Sequence, residues 1–196
     1  MVLETTILSN KDFAMLRESS LGKSAVNRLA WENAYPGLQQ LKTYTPQAKG
    51  RFGVKMVKLC CTNKNKKFEV ENKEGDHYID GQLGECKTAF GDFKGSEVWV
   101  RENTPGFWFN QIRPKQHGWK FVTFVCINRY EIHVLKIPRS VIEKGLREEG
   151  PLAGNVKSGH SGTEELWKVN LSKRKDKEIF DLFRFGHFIL ERTEVD

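Results

Sequence analysis

The sequence predicts an α/β fold in which a mixed central β-sheet is flanked by helices. Two hairpin patterns, at 75–88 and 120–137, predict the sheet. Two segments with helical apolar spacing, at 47–62 and 176–185, supply helices to cover it. A length of 196 residues suits one domain with a sizeable core.

The N-terminal part of the chain is predicted to be helical. Residues 10–34 carry apolar side chains at helical spacing, with Ser9 or Asn10 as the N-cap. Pro36-Gly37 breaks this run, and a short helical segment follows it. The second main helix is expected over 47–62.

Strand and loop patterns alternate through the rest of the chain. Residues 67–71 alternate like a strand that leads into the first hairpin. Residues 90–106 are read as a connector and 149–163 as a Gly- and Ser-rich loop. A strand over 165–171 and the amphipathic helix over 176–185 complete the elements.

The second hairpin is expected to hold the centre of the sheet. Its first strand, 120–127, is apolar nearly throughout, as a strand covered on both faces should be. Asn128-Arg129 forms the turn to the partner strand, 130–137. Pro138 then opens a short helix.

The first hairpin brings chemically active side chains together. Asp80-Gly81 is the pair favoured in a two-residue type I′ turn. Counting back from this turn places Asp76 opposite Glu85, and strand alternation puts Lys87 on the same face. Two carboxylates and one lysine on one patch can hold a divalent cation and prime a water molecule beside it.

These residues also carry a family resemblance. Asp76, eight further residues and Glu85-Cys86-Lys87, followed by Thr88, resemble the PD-(D/E)xK nuclease motif. Gly75 stands where that family usually has proline.

Two later segments resemble bacterial type II restriction endonucleases of this superfamily. The run Gln111-Ile112-Arg113-Pro114 and the apolar strand after it are similar to their QIRP segment and core strand. The Gly-rich stretch 157–162 sits where many such enzymes contact DNA with a polar loop. The resemblance covers roughly 46–172, which would be the catalytic core of a single nuclease domain spanning 1–196. A helical part, 1–45, would precede it, and a C-terminal helix and tail, 173–196, would follow.

The resemblance implies a restriction-endonuclease-like fold and a type II site-specific deoxyribonuclease. Such an enzyme hydrolyses phosphodiester bonds of double-stranded DNA with Mg²⁺, for which Mn²⁺ can substitute. It usually acts as a homodimer on palindromes, because one active site cuts each strand. The implied location is the bacterial cytoplasm. No phosphate-binding Gly-x-x-x-x-Gly-Lys pattern is present, so no nucleotide cofactor is expected.

Family roles can be assigned to five positions. Asp76, Glu85 and the main-chain carbonyl of Cys86 would hold the metal. Lys87 would orient or help to deprotonate the attacking water. Gln111 would pack near that lysine and the scissile strand, although a solvent-facing amide explains it as simply.

A basic and polar set is expected to contact DNA. Its members are Lys49, Arg51, Arg113, Lys115, Lys157, Ser158, His160 and Ser161. Arginine can read a guanine edge or bind phosphate, and nothing in the sequence decides between the two. The alternative for the helix that carries Lys49 and Arg51 is an ordinary solvated surface, and for His160 an exposed loop histidine.

Composition narrows the functional classes to which the protein could belong. Lys and Arg number 32 against 25 Asp and Glu, which gives a net charge of +7 and a mild nucleic-acid signal. No 18-residue apolar run and no signal-peptide pattern is visible, so no membrane association is expected. The four cysteines match no common zinc site and are expected to be buried free thiols, and the histidines outside 157–162 look scattered, with no catalytic dyad.

Three other functions fit the same residues. A repair or nicking endonuclease of the superfamily would share the catalytic patch and act as a monomer. A non-catalytic DNA-binding protein would have no need to keep Asp76, Glu85 and Lys87 together. An unrelated α/β domain would carry only a surface ion cluster on its hairpin.

Overall fold

The computed structural model describes most of the chain. The described residues are 5–20, 37–70, 77–91, 106–112, 118–128, 130–158, 165–170 and 174–191. Within them, no helix combines enough length with enough apolar character to span a membrane.

Two β-sheets organise these residues. The strands are β1 Thr6–Leu8, β2 Phe68–Val70, β3 His77–Ile79, β4 Gln82–Phe90, β5 Gly106–Ile112, β6 Phe121–Ile127, β7 Glu131–Pro138, β8 Val156–Ser158, β9 Glu165–Asn170 and β10 Arg184–Leu190. The central sheet has the order β1-β10-β7-β6-β4-β3-β2, and the smaller sheet has the order β5-β9-β8. β1 pairs with β10 and β4 with β6 in parallel, and the other central pairs are antiparallel. The predicted mixed α/β architecture is confirmed.

Side-chain caps mark the start of two of the helices, and the cap at Ser9 is the one that the sequence predicted. They are α1 Asn10–Glu18, a 3₁₀ helix Gly37–Thr43, α2 Pro46–Asn63, α3 Arg139–Leu146 and α4 Arg174–Phe183. The Ser9 hydroxyl accepts a hydrogen bond from the Asp12 amide, which satisfies one donor of the first turn of α1. Thr45 caps α2 in the same way, with Pro46 in its first turn.

Strand β6 separates two hydrophobic cores. All seven of its residues are buried. Phe121, Val125 and Ile127 belong to a core shared with α1, the 3₁₀ helix and α2. Val122, Phe124 and Cys126 belong to a second core shared with the smaller sheet, α3 and α4. The sequence prediction of a strand covered on both faces is therefore confirmed.

The hairpin that organises the predicted site has the predicted register. Ile79 lies opposite Gln82, and His77 opposite Gly84. Asp80 and Gly81 both have positive φ, 51° and 76°, as a type I′ turn requires. Asp80 also accepts a hydrogen bond from the Lys67 amide, which ties the turn to the start of β2.

The first helix is shorter than predicted within the described residues. A helix over 10–34 was expected, but α1 ends at Glu18, and Ser19 and Ser20 form a turn. Both hydroxyls donate to the Leu16 carbonyl, at 3.1 and 2.6 Å, and serine side chains that compete for backbone groups in this way favour helix ends. The rest of the expected helix lies outside the described residues.

Four strands occur where the sequence pattern indicated none, and the first of them, β1, lies in the N-terminal part that was predicted to be helical. β5 follows the predicted connector, and β8 lies inside the predicted loop 149–163. β10 occupies part of the expected C-terminal tail and pairs with both β1 and β7. The central sheet thus includes two strands from outside 46–172, β1 and β10. Their pairing joins residues that are remote in sequence, so local patterns do not reveal it.

Gly84 allows the hairpin to pack against β6, and its replacement should destabilise the fold. A Cβ atom at Gly84 would lie 2.2 Å from the Phe121 ring. That ring is held between His77 and the Lys136 ammonium, so it cannot move aside easily. We expect Gly84→Ala to lower the free energy of unfolding by about 1–3 kcal/mol in denaturant titrations.

Gly50→Ala is the matched control. A Cβ at Gly50, inside α2, meets no atom within 4 Å. This substitution should raise the stability by about 0.5–1 kcal/mol, since alanine is the better helix former. Equal stability of the two variants would contradict the packing described here.

Candidate functional site

Glu85 and Lys87 form an ion pair on one face of β4. The Lys87 Nζ lies 2.5 Å from Glu85 Oε1, and the side chains are only 23% and 13% exposed. Both point toward the second core, because Ala89, two residues further along the same face, packs with Val122 and Phe124. The pair therefore lies at the border of the core rather than on an open surface.

One oxygen of this carboxylate has no protein partner within the described residues. Glu85 Oε2 is buried and receives no hydrogen bond there. A buried carboxylate oxygen costs free energy unless a donor or a cation satisfies it. A hard cation such as Mg²⁺ prefers oxygen ligands, so the donor set fits the ion that the resemblance implies.

The backbone beside Glu85 presents its carbonyls to alternate edges of β4. The Leu83 carbonyl accepts from the Lys120 amide and the Glu85 carbonyl from the Thr123 hydroxyl, both at the β6 edge. By alternation, the Cys86 carbonyl faces the other edge, on which β3 lies. The Cys86 thiol packs against α2 on the opposite face from Glu85, as predicted.

A neutral histidine lies on the face of the sheet opposite the Glu85–Lys87 pair. His77 is fully buried, stacked on Phe68, with its Nε2 3.5 Å from the Thr123 hydroxyl. Burial, with a smaller contribution from the Lys136 charge, lowers the pKa of His77 from 6.5 to about 4. Thr123 thus connects the buried histidine to the backbone of Glu85.

The structure does not bring the basic helix to this pair. Helix α2 packs against the face that carries Cys86 and Thr88, whereas Glu85 and Lys87 use the opposite face. The Lys49 ammonium lies over the Phe90 ring, and burial lowers its pKa.

Two cations of α2 have structural partners. Arg51 Nε and Lys55 Nζ donate to the carbonyls of Ser20 and Ser19, which satisfies the C-terminal end of α1. Burial, and then the charges of Arg51 and Lys58, lower the pKa of Lys55. These contacts give the basic face of α2 a structural role, in addition to the predicted role of contacting DNA.

The smaller sheet carries three of the predicted residues. Gln111 lies in β5, where the register with β9 shifts between Phe109 and Ile112, a bulge of the kind often found near active sites. Lys157 and Ser158 lie in β8, opposite Leu166 and Glu165 of β9. This sheet covers the face of the central sheet on which Glu85 and Lys87 lie. The other predicted site residues are outside the described residues: Asp76, Arg113, Lys115, His160 and Ser161.

The expectation of buried free thiols is confirmed for three of the four cysteines. Cys60, Cys61 and Cys126 are buried free thiols, and Cys86 is half-buried. Desolvation raises the pKa of Cys61 to about 11, so its thiol stays protonated and inert at neutral pH.

A second cluster was missed in the sequence. His133 and His187 looked scattered, but their rings stack at 4.3 Å, beside Glu131. A hydrogen bond from His133 is the main reason that the pKa of Glu131 falls to about 2, and burial is the main reason that the pKa of His187 is lowered. The Glu-x-His spacing on predicted strand 130–137 placed two of these residues on one face. The third was not recognisable, because β10 was not predicted.

Comparison of the sequence with protein-family models and with curated proteins found no match to either. What the chain does must therefore be inferred from its own side chains. The Glu85–Lys87 pair can hold a cation, orient water and neutralise a phosphate. The Glu131 cluster offers nitrogen ligands, which suit a different class of metal.

The buried His77 should make the protein sensitive to acid. In the unfolded chain His77 becomes protonated as the pH falls below 6.5, whereas in the folded protein it becomes protonated only near pH 4. Stability is therefore lost as pH falls through this window. We expect wild type to lose roughly 3 kcal/mol more than His77→Phe between pH 7 and pH 4. Urea unfolding of both proteins at each pH measures the difference, and parallel pH curves would contradict the assignment.

Proposed function

We propose that the protein is a Mg²⁺-dependent endonuclease of the PD-(D/E)xK type that hydrolyses double-stranded DNA at a specific site. The observation that carries this proposal is the buried Glu85–Lys87 ion pair, in which one carboxylate oxygen has no partner among the described residues. The hairpin register supports it, because the turn places β3 against the part of β4 that leads into Glu85.

The depth of this pair distinguishes it from an ordinary surface ion pair. Lys67, just before β2, and Glu69, within it, have the same 2.5 Å separation, but their side chains are 75% and 53% exposed. An exposed pair of this kind contributes little to stability and carries no desolvation cost. Burying Glu85 and Lys87 does cost free energy. A functional demand for a charged, partly dehydrated site explains why both charges are kept.

The proposed chemistry divides among few residues. Glu85 and the Cys86 carbonyl would hold the metal, with Asp76 as the further carboxylate that the resemblance implies. A bound Mg²⁺ supplies Lewis-acid activation of water and neutralises charge on the phosphate. Lys87 Nζ, positioned by Glu85 Oε1, would orient the attacking water and donate hydrogen bonds to a phosphate oxygen.

The smaller sheet offers a DNA-facing element on the same side. Gln111 and Lys157 lie on strands that pack over the face of Glu85 and Lys87. Together with the net charge of +7, this supports DNA as the substrate. In the proposal the enzyme acts as a homodimer in the bacterial cytoplasm, so that each protomer cuts one strand of a palindromic site.

Removal of either charge should abolish cleavage. We expect Glu85→Gln and Lys87→Met each to reduce the rate of cleavage of unmethylated phage DNA by at least about 100-fold, because each takes away a group that acts on water or phosphate. Asp76→Asn should have the same effect. Discrete fragments from wild type indicate restriction, whereas nicked circles from plasmid DNA would favour the nicking alternative.

The exposed pair supplies matched controls. Glu69→Gln and Lys67→Met make the same chemical changes on a solvated pair and should leave cleavage unchanged. The double variant Glu85→Gln/Lys87→Met removes both buried charges, so it should fold more stably than Lys87→Met alone and still be inactive. Near-normal turnover in a folded Glu85 or Lys87 variant would refute the proposed centre.

Metal dependence should separate binding from cleavage. Cleavage should require Mg²⁺ or Mn²⁺, whereas Ca²⁺ should support DNA binding alone, since its larger radius and looser geometry leave the water misplaced. Gel-shift and cleavage assays in each ion, after chelator treatment, measure the two properties. Full cleavage in excess chelator would contradict a metal-dependent mechanism.

A further inference from the structure

Three potential metal ligands converge where β7 meets β10. His133 and His187 lie directly opposite each other across the antiparallel pair, and Glu131 precedes His133 by two residues on the same face. One ligand atom from each of the three side chains lies within 4.8 Å of the others. The cluster shares no residue with the proposed nuclease centre.

The separations suit one transition-metal ion. Glu131 Oε2 lies 3.2 Å from His133 Nε2 and 3.5 Å from His187 Nε2. Ligands bonded tetrahedrally at about 2.0–2.1 Å lie about 3.3 Å apart. The two imidazole rings are within 11° of parallel, so each would have to turn out of the stack to aim its in-plane lone pair at a shared ion.

Neighbouring residues hold the rings in place. The Thr5 hydroxyl lies 3.1 Å from His187 Nδ1, and a proton donated from Nδ1 to Thr5 leaves the Nε2 lone pair available to a metal. The Phe180 ring packs edge-on against His133. Metal-binding histidines are commonly oriented by a partner on the second nitrogen and by such packing.

The polar atoms of the two rings are incompletely satisfied by protein. His133 and His187 are largely buried, with side chains 10% and 15% exposed. Among the described residues, His187 Nε2 has only the long 3.5 Å contact with Glu131 Oε2, and His133 Nδ1, which is not the nitrogen nearest Glu131, has no hydrogen bond. Glu131 is 40% exposed, which gives an ion a route of entry and a position open to water.

From this geometry we propose that Glu131, His133 and His187 form a binding site for a divalent transition-metal ion such as Zn²⁺. Imidazole nitrogens with one carboxylate favour such ions over Mg²⁺, so the site would differ in metal from the proposed nuclease centre. The bound ion would join β7 to β10, and through Thr5 would fix β1 at the edge of the central sheet. Its role would thus be to hold the C-terminal strand in the fold.

Calorimetric titration of the chelator-treated protein with Zn²⁺ tests the site. We expect one Zn²⁺ per chain and a raised melting temperature. Glu131→Gln and His187→Asn should each weaken binding by more than about 100-fold, because losing an outer partner alone typically costs about 10–100-fold. Thr5→Val should weaken binding by about 10-fold.

The control is Glu85→Gln, which should lose Mg²⁺-dependent cleavage and bind Zn²⁺ as wild type does. This variant separates failure of the zinc site from failure of the proposed nuclease function. Glu131→Gln keeps the side-chain shape, so it remains informative if His187→Asn does not fold. Absence of Zn²⁺ binding by wild type, or equal affinity in a folded Glu131→Gln protein, would overturn the proposal.

Discussion

The burial of β6 on both faces is the constraint on which the other elements depend. Its apolar side chains require a covering layer on each side, and its backbone groups require a strand on each edge. β7 pairs with one edge of β6 through a tight antiparallel hairpin. β4 pairs with the other edge in parallel, and a parallel pair needs a long crossover connection. That crossover carries β5, so the smaller sheet over the second core is a consequence of the same pairing.

This constraint also determines where charge can lie. Parallel pairing with β6 places Glu85 and Lys87 opposite Val122 and Phe124, at the border of an apolar core. Thr123, the single hydroxyl in β6, bonds the Glu85 carbonyl and fixes this register from the central strand. A rigid, largely dehydrated frame around two charges is what a hydrolytic centre needs, because fixed dipoles and charges act more strongly where water is excluded.

Much of this arrangement could be predicted from the sequence, since it depends on local patterns. The Asp80-Gly81 turn, the cap at Ser9 and the continuous apolar run of β6 each depend on neighbouring residues. β10 could not be predicted, because its short, mixed sequence acquires strand character only between β1 and β7. The His133–His187 contact was missed for the same reason. The pairing of Asp76 with Glu85 stays a prediction, because Asp76 lies outside the described residues.

Anomalous diffraction from crystals soaked in Mn²⁺ tests the central claim most directly. If the pair on β4 is a metal-dependent hydrolytic centre, an ion should lie within bonding distance of Glu85 Oε2, with Lys87 still beside Oε1. Crystals of Glu85→Gln should lack that ion. A protein that cleaves DNA with Mn²⁺, yet shows no ion at Glu85 or binds it only at Glu131, would contradict the account.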